Sequence, residues 1–116
     1  MLAKRFRFHG YNSLKFVYSK GSTARARYLS LKYAANSRRQ DSRLAVVVSK
    51  KITKKAPDRN RMRRRLYEAI RKDWENIKPG HDLVITVFDE RVGTISSEEL
   101  ESLVRDMLRS AELLRD

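Results

Sequence analysis

Hydrophobic residues recur with two different periods along the N-terminal half of the chain. Residues 11–20 carry apolar side chains at i, i+3 and i+4, which are Leu14, Val17 and Tyr18. This spacing is typical of one helix face, and Gly21 follows as a C-terminal stop. Residues 28–34 alternate at every second position, so that two sets of three side chains point to opposite faces. The sets are Leu29, Leu31 and Tyr33, and Tyr28, Ser30 and Lys32. The pattern predicts a short helix followed by a strand.

The rest of the chain continues with buried strands and amphipathic helices. Residues 44–49 and 82–88 are short and apolar, as expected for strands buried on both faces. Between them, a basic connection over residues 50–57 leads to a helix, for which Asp58 after Pro57 is a suitable N-cap. Ser96 and Glu99 form a capping-box sequence before a long helix predicted over residues 96–116. The apolar stripe of that helix comprises Leu100, Leu103, Val104, Met107, Leu108, Ala111 and Leu114.

This order of elements predicts an α+β sandwich, in which one sheet carries packed helices. The chain has 116 residues, of which 41% are hydrophobic, so we expect a single domain over residues 1–116 with one modest core. Cysteine is absent, which excludes a disulfide framework and a thiolate metal site. We find neither an apolar run long enough to span a bilayer nor a signal peptide, so the sequence predicts a cytoplasmic protein without a membrane partner.

Charge identifies the expected partner as a polyanion. The formal net charge is +13, and self-repulsion of that size is tolerable when a nucleic acid neutralises it. Residues 1–40 contain no acidic side chain, and residues 1–10 form a basic N-terminal segment. The balance reverses in residues 96–116, where acids outnumber arginines. We therefore expect the N-terminal two thirds of the chain to carry the nucleic-acid face.

The densest charge lies on the second predicted helix. Its buried stripe has apolar residues at i, i+4, i+7 and i+8, which are Met62, Leu66, Ala69 and Ile70. Arginines occupy the remaining faces of this helix, with almost no acids at i+4 to pair with them. Arginine forks bind phosphates and stack on bases, which favours contact with a folded RNA. Unopposed cations and aromatics in residues 1–40 add a possible surface for single strands, although we expect at least half of those aromatics to be core.

Protein-based catalysis has little support in the sequence. His9 and His81 are far apart and do not have metal-ligand spacing, so each is interpreted as a surface or turn histidine. Asp82, Asp89 and Glu90 flank the last strand and leave open a weaker hypothesis of a metal-dependent nuclease. We find no phosphate-binding glycine loop and no nucleophile motif. The chain therefore lacks the parts of a self-sufficient enzyme.

One long motif resembles a known family. Val48-Ser49-Lys50-Lys51-Ile52, a basic spacer with Ala56, and then Arg59-Asn60-Arg61-Met62-Arg63-Arg64 with Leu66 are similar to the signature of the bacterial ribonuclease P protein component. The resemblance extends over most of the chain, from Arg5-Phe6 through the helix that ends near Tyr18 and Gly21 to the C-terminal amphipathic helix. It implies a four-stranded sheet in the order α-β-β-β-α-β-α, with a left-handed βαβ crossover that departs from the usual rule.

The resemblance also implies a function. It points to the protein subunit of a ribonucleoprotein endonuclease, in which a catalytic RNA subunit uses Mg²⁺ to hydrolyse the 5′ leader from precursor tRNA. The isolated protein is not expected to be catalytic or to bind the metal, which the RNA and the substrate mainly hold. The residues carried over for binding the RNA subunit are Lys50, Lys51, Arg59, Asn60, Arg61, Arg63, Arg64 and Arg65.

A second carried-over site is a cleft for the single-stranded leader, expected between the sheet and the arginine helix. Its residues are Leu14, Tyr18, Tyr33, Val46 and Val48. Leu14 departs from the aromatic residue common at this position, and Tyr67 departs from a common basic residue. Composition alone leaves open an alternative of another class, a structural ribosomal or ribosome-assembly protein that holds RNA with the same helix.

Overall fold

The computed structural model describes residues 2–8, 10–36 and 40–115. Helices and strands follow the predicted order: α1 (Tyr11–Lys20), β1 (Ser22–Ala26), β2 (Leu29–Ala35), β3 (Arg43–Val47), α2 (Ala56–Arg71), β4 (His81–Val87) and α3 (Ser97–Ser110). Short 3₁₀ turns lie at Lys4–Phe6, Trp74–Asn76 and Glu90–Gly93. The predicted α+β class is confirmed, and α1 has the bounds that its periodicity predicted.

The four strands form one sheet in the order β1-β2-β4-β3. β2 pairs antiparallel with both β1 and β4, whereas β3 and β4 are parallel neighbours. Parallel neighbours need a long crossover, and α2 provides it between β3 and β4. The left-handed sense that the resemblance implies for this crossover stays a prediction.

The two faces of the sheet carry different helices. On one face, odd-numbered positions of β2 and β4, such as Leu31 and Ile85, pack with Leu44, with Leu66 of α2 and with Leu108 of α3 in the main core. The opposite face carries α1 and a smaller cluster formed by Phe8, Val17, Ala45 and Val84. Because α1 has only ten residues, it leaves part of this second face without a helix.

The hydrophobic pattern of the sequence did not predict strand β1. Its residues Ser22–Ala26 are small or polar, and only Ala24 is buried, so they lack the apolar alternation that marks a strand. Pairing with β2 defines the strand instead, through the register that joins Ala24 to Leu31. The hairpin turn places Tyr28 at φ 71°, a left-handed conformation that is uncommon for a bulky residue.

Helix α2 begins earlier than predicted. Its N-cap is Lys55 rather than Asp58, and Pro57 lies within the first turn. Proline is well tolerated there because the first N–H groups of a helix have no partner within it. Asp58 therefore acts as an acid in the first turn, where the helix dipole favours negative charge. The buried stripe of Met62, Leu66, Ala69 and Ile70 is confirmed.

Helix α3 ends earlier than predicted. The Ser96 hydroxyl accepts a hydrogen bond from the Glu99 amide at 3.1 Å, as the capping box requires. The helix stops at Ser110, where Leu113 donates to the Leu108 carbonyl and Glu112 donates to that of Arg109. These two bonds define a Schellman motif. Leu114, which the periodicity assigned to the helix, instead forms a bridge with Ile77.

Glu112 occupies the position of that motif that usually holds glycine, with φ 58°. A left-handed conformation is unfavourable for a residue with a Cβ. We expect Glu112→Gly to raise the free energy of unfolding by about 1 kcal/mol, measured by urea denaturation. The neighbouring exposed Ser110→Gly serves as a control, since glycine inside the last helical turn should destabilise. A loss of stability in Glu112→Gly would contradict the strain argument.

Candidate nucleic-acid interface

The arginines of α2 are held on a packed helix. Met62 and Leu66 fix one side in the core, and the side chains of Asn60, Arg61 and Arg64 are at least partly exposed. The prediction that arginines occupy the unburied faces of this helix is therefore confirmed for Arg61 and Arg64. Held in this way, the guanidinium groups lose less conformational entropy on binding than they would on a disordered tail.

Two further arginines in this segment are oriented by local hydrogen bonds. Arg59 donates from Nη1 to the Thr53 carbonyl at 3.0 Å, which ties α2 to the preceding connection. Arg63 donates from Nη1 to Asn60 Oδ1 at 2.5 Å. Each guanidinium keeps further N–H donors for an external acceptor.

The connection before α2 brings two lysines beside the helix. Lys50 and Lys51 follow β3 in an exposed turn, which the bond from Ile52 N to Ser49 O closes at 3.1 Å. We call the accessible set the arginine surface, and it comprises Lys50, Lys51, Arg59, Asn60, Arg61, Arg63 and Arg64. All eight residues predicted to bind the RNA subunit lie on α2 or in the turn before it, and seven of them belong to this surface.

Arg65, the eighth predicted residue, has a different environment. Its guanidinium donates to the carbonyls of Val92 and Ile95, in the segment that leads to α3. Burial lowers the pKa of this group, and the nearby Arg61 charge lowers it further. Arg65 therefore joins α2 to the segment before α3, and it is a structural residue rather than a free phosphate ligand.

This difference predicts a difference in stability. Arg65→Met should lower the free energy of unfolding by about 1.5–3 kcal/mol, because two carbonyls lose hydrogen bonds from a charged donor. Arg64→Met, at an exposed neighbouring position, is the matched control and should stay within about 0.5 kcal/mol of the parent. Thermal and urea unfolding of both variants provide the measurement. Equal stabilities would contradict the structural role of Arg65.

The predicted leader cleft is not assembled as expected. Val46 and Val48 are only 7% and 5% exposed and lie in the main core together with Met62 and Leu66. Tyr33 is half-buried against the same core, on the sheet face opposite α1. The space between the sheet and α2 is therefore filled by side chains. Leu14 and Tyr18, in contrast, belong to α1 on the other face.

The open surface lies on the α1 side of the sheet. Leu14 and Val47 both pack there against the smaller cluster, and Tyr18 is 43% exposed. Strand register places Lys32 beside Val84, and Val47 beside Thr86, all on this face. We call this surface the open sheet face, and it comprises Leu14, Tyr18, Lys32, Val47, Thr86 and Phe88.

Phe88 ends this surface. It follows β4 directly, donates its backbone N–H to the Tyr28 carbonyl at 2.8 Å and is 56% exposed. It is four positions after Val84, a span of about 13 Å along a strand. Sequence reasoning missed Lys32, Thr86 and Phe88, although the alternation of residues 28–34 already put Lys32 opposite the apolar face. An accessible lysine and a phenylalanine together offer contacts to a phosphate and a base.

Tyr67 stands at a position where a basic residue is common, and its ring contacts the N-terminal segment. The Arg7 guanidinium lies 5.4 Å from the centre of its ring, a cation–π contact between α2 and the N-terminal segment. The segment continues into the sheet, where Phe8 donates to the Leu44 carbonyl at 3.0 Å. Burial raises the pKa of the Tyr67 hydroxyl. The tyrosine thus helps to hold residues 2–8 against α2.

The acids considered for a nuclease are separated. Asp82 is 1% exposed at the start of β4, and Arg43 and Asn36 hold its carboxylate. Asp89 and Glu90 lie beyond the other end of that strand. Among the residues that the structure describes, no group of three His, Cys, Asp or Glu side chains could hold a metal ion. The three acids thus do not form the metal centre of the nuclease hypothesis.

The predictions for the two histidines and for the membrane concern other parts of the chain. His81 Nδ1 lies 3.0 Å from the Pro79 carbonyl oxygen, which agrees with its interpretation as a turn histidine. His9 lies outside the described residues. None of the helices in the described part of the chain has the length and apolar character needed to cross a membrane.

Comparison with known proteins identifies the family. The family model described as Ribonuclease P matches residues 2–112. The ribonuclease P protein component of Pseudanabaena sp. is 34% identical over 118 residues, which cover 98% of this chain and 97% of the relative.

Solved structures share the fold. A Staphylococcus aureus RNase P protein mutant with defective mRNA degradation activity has a TM-score of 0.84 at 20% identity, covering 96% of this chain and 92% of that one. The RNase P protein from Thermotoga maritima has a TM-score of 0.79 at 20% identity, covering 90% and 96%. The arginine surface, the fold and the sequence match agree, and the chain belongs to the ribonuclease P protein family, the protein components of the endoribonuclease that processes precursor tRNA.

Proposed function

We propose that this protein binds the catalytic RNA subunit of ribonuclease P through the arginine surface and the 5′ leader of precursor tRNA through the open sheet face. The observation that carries the proposal is the set of accessible guanidinium groups on the packed helix α2, beside a sheet face that α1 leaves partly uncovered. Holding both RNAs at once raises the affinity of the complex for substrate, since the second contact becomes intramolecular.

Charge and geometry support the assignment of the arginine surface to the RNA subunit. Folded RNA crowds its phosphates, and an arginine fork can donate two parallel hydrogen bonds to one phosphate. Asn60 and Arg63 are already paired, so their orientation is set before binding. Arg65 is left out of this assignment because its guanidinium is partly buried and two of its five N–H donors bind carbonyls within the protein.

Aromatic and cationic groups support the assignment of the open sheet face to the leader. Tyr18 and Phe88 are exposed aromatic residues on which unpaired bases can stack, and Lys32 of β2, paired with Val84, adds a cation on the same face. Leu14 contributes an apolar contact without a ring face. Val47 is three residues before Lys50, so this face and the arginine surface meet at the end of β3.

Magnesium chemistry is assigned to the RNA. Ribonuclease P hydrolysis uses Mg²⁺, and the described carboxylates of this protein do not fit a site for the ion. The protein's contribution is to neutralise phosphates, which lowers the concentration of Mg²⁺ that the RNA needs.

Reconstitution tests the proposal. We expect the protein, added to its cognate RNA subunit at low Mg²⁺, to increase precursor tRNA cleavage at least tenfold over RNA alone, an effect of about 1.4 kcal/mol. The protein by itself should not cleave this substrate. A lack of stimulation, or cleavage by RNA-free protein, would overturn the assignment.

The open sheet face predicts a leader-dependent effect. Tyr18→Ala should weaken binding of precursor tRNA by about 1–2 kcal/mol, the cost of removing one base stack, and should leave binding of mature tRNA unchanged. Phe16→Ala is the matched control, because Phe16 is similarly exposed at 37% but lies about 200° around α1 from Leu14. Affinities of the holoenzyme for both tRNAs give the comparison. An equal loss for mature tRNA would argue against leader contact.

A further inference from the structure

A groove of about 670 Å³ lies at the C-terminal end of α2, away from the arginine surface and the open sheet face. The N-terminal segment forms one wall with Arg5 and Phe6, and Trp74 in the turn after α2 forms another. Its lining includes no residue of the two surfaces already assigned to RNA.

Two aromatic rings define the apolar part of this groove. Phe6 and Trp74 are half-buried, with ring centres 5.5 Å apart and planes inclined at 49°. The Arg5 guanidinium lies 4.5 Å from the centre of the Phe6 ring. Trp74 thus keeps part of a large ring accessible next to a guanidinium, an arrangement suited to stacking of a base.

Positive charge surrounds these rings. Neither Arg5 nor Arg115 forms an ion pair with any residue that the structure describes. Arg115 is held near the groove by the bond from its backbone N–H to the Asn76 carbonyl at 2.7 Å. The other two lining cations are already paired, Arg71 with Glu68 at 2.6 Å and Lys72 with Glu101 at 2.7 Å.

Two carboxylates also line the groove, those of Asp41 and Glu75, and both side chains are exposed. They disfavour an anion that fills the whole groove, but they can accept hydrogen bonds from the amino groups of a base. The groove therefore combines a ring face, the guanidinium groups of Arg5 and Arg115, and carboxylate acceptors. These are the contacts that an unpaired nucleotide needs for its base and its phosphate.

We propose that this groove binds a single unpaired nucleotide of an RNA, with the base stacked on Trp74 and the phosphate between Arg5 and Arg115. The site is a third RNA contact at the end of α2 opposite its N-terminal arginines. It does not depend on the assignments of the other two surfaces.

Trp74 reports on the site directly, because it is the only tryptophan in the chain. We expect adenosine 5′-monophosphate, titrated into the full-length protein at 0.5 M salt, to quench Trp74 fluorescence saturably. Arg5→Gln/Arg115→Gln should weaken this binding about tenfold or more. Arg27→Gln/Arg109→Gln removes the same charge from positions outside the groove and should leave the affinity within about twofold.

A second pair of variants separates stacking from charge. Trp74→Phe keeps an aromatic face and should retain the affinity within about threefold, whereas Trp74→Leu should weaken binding about tenfold, both by calorimetry. Ribose 5-phosphate should bind at least tenfold more weakly than the nucleotide. Absence of quenching at saturation, equal binding of ribose 5-phosphate, or equal losses in the two arginine pairs would overturn the proposal. Precursor tRNA cleavage by the RNA subunit in the presence of these variants tests the proposed function separately from nucleotide binding in the groove.

Discussion

Asp82→Ala is expected to lower the free energy of unfolding by about 3–5 kcal/mol, the largest stability change that we predict for a single substitution in this chain. Asp82 is 1% exposed, and its two carboxylate oxygens accept from Arg43 Nε and Nη2, each at 3.0 Å. Asn36 donates a third hydrogen bond at 2.8 Å. Removing the carboxylate leaves a nearly buried guanidinium, stacked 4.6 Å from the Phe8 ring, without its counter-charge.

Urea denaturation of three variants tests this pair. Asp106→Ala, an exposed aspartate on α3, is the control and should change stability by less than about 0.5 kcal/mol. Arg43→Met/Asp82→Ala should be less destabilised than the sum of its single variants, since no unpaired charge remains in it. Additive losses would show that the ion pair does not account for the effect. If the RNA-free protein cleaved RNA, and Asp82→Ala lost this cleavage without losing stability, the nuclease hypothesis would be supported again.

Arg61→Gln/Arg64→Gln is expected to weaken binding of the RNA subunit about 100-fold at low salt, or about 2.7 kcal/mol. Both side chains are accessible on α2, whose buried stripe holds their backbone in place. A phosphate that the variant no longer neutralises keeps its counterion on binding. The slope of log K against log salt should therefore become shallower by about 1.4–1.8 for two phosphates. Filter binding or calorimetry at three or more salt concentrations measures both quantities.

A matched charge change on α3 provides the control. Arg105→Gln/Arg109→Gln removes two positive charges from the helix that carries the acidic C-terminal region. If only net charge mattered, the two double variants would weaken RNA binding equally. We expect the α3 variant to weaken binding by less than about threefold, and an equal loss would contradict the arginine surface as the docking site.

The sequence predicted the elements whose stability depends on a repeated apolar pattern. The stripe of α2 and the central strand β4 are examples, because burial of Leu66 or Ile85 requires an apolar side chain at that position. Strand β1 was missed because its pairing with β2, rather than its side chains, makes it a strand. The end of α3 was missed because its apolar period continues past the residue where Glu112 turns the backbone.

The sequence predicted the types of residue in the candidate site better than it predicted where those residues lie in the fold. Accessible arginines on α2 follow from the helical period, and the lysines before it follow from the basic connection. The role of Arg65 depends on carbonyls about 30 residues away in sequence, which no local pattern reports. The five residues expected to line one cleft lie on two sheet faces, since Tyr33 shares the face of Leu31 and therefore that of the core, whereas Leu14 lies on the α1 side. Only the strand register brings Lys32 and Thr86 to the face of Tyr18.

The position of β4 has a consequence for synthesis of the protein. This strand lies between β2 and β3 in the sheet but follows both in the chain. A nascent chain therefore exposes the inner edges of β2 and β3 until residue 87 has left the ribosome. Such unpaired edges favour association with other chains. The arginine-rich helix emerges before the strand that closes the sheet, so RNA already present at that time can neutralise it while the core is still incomplete.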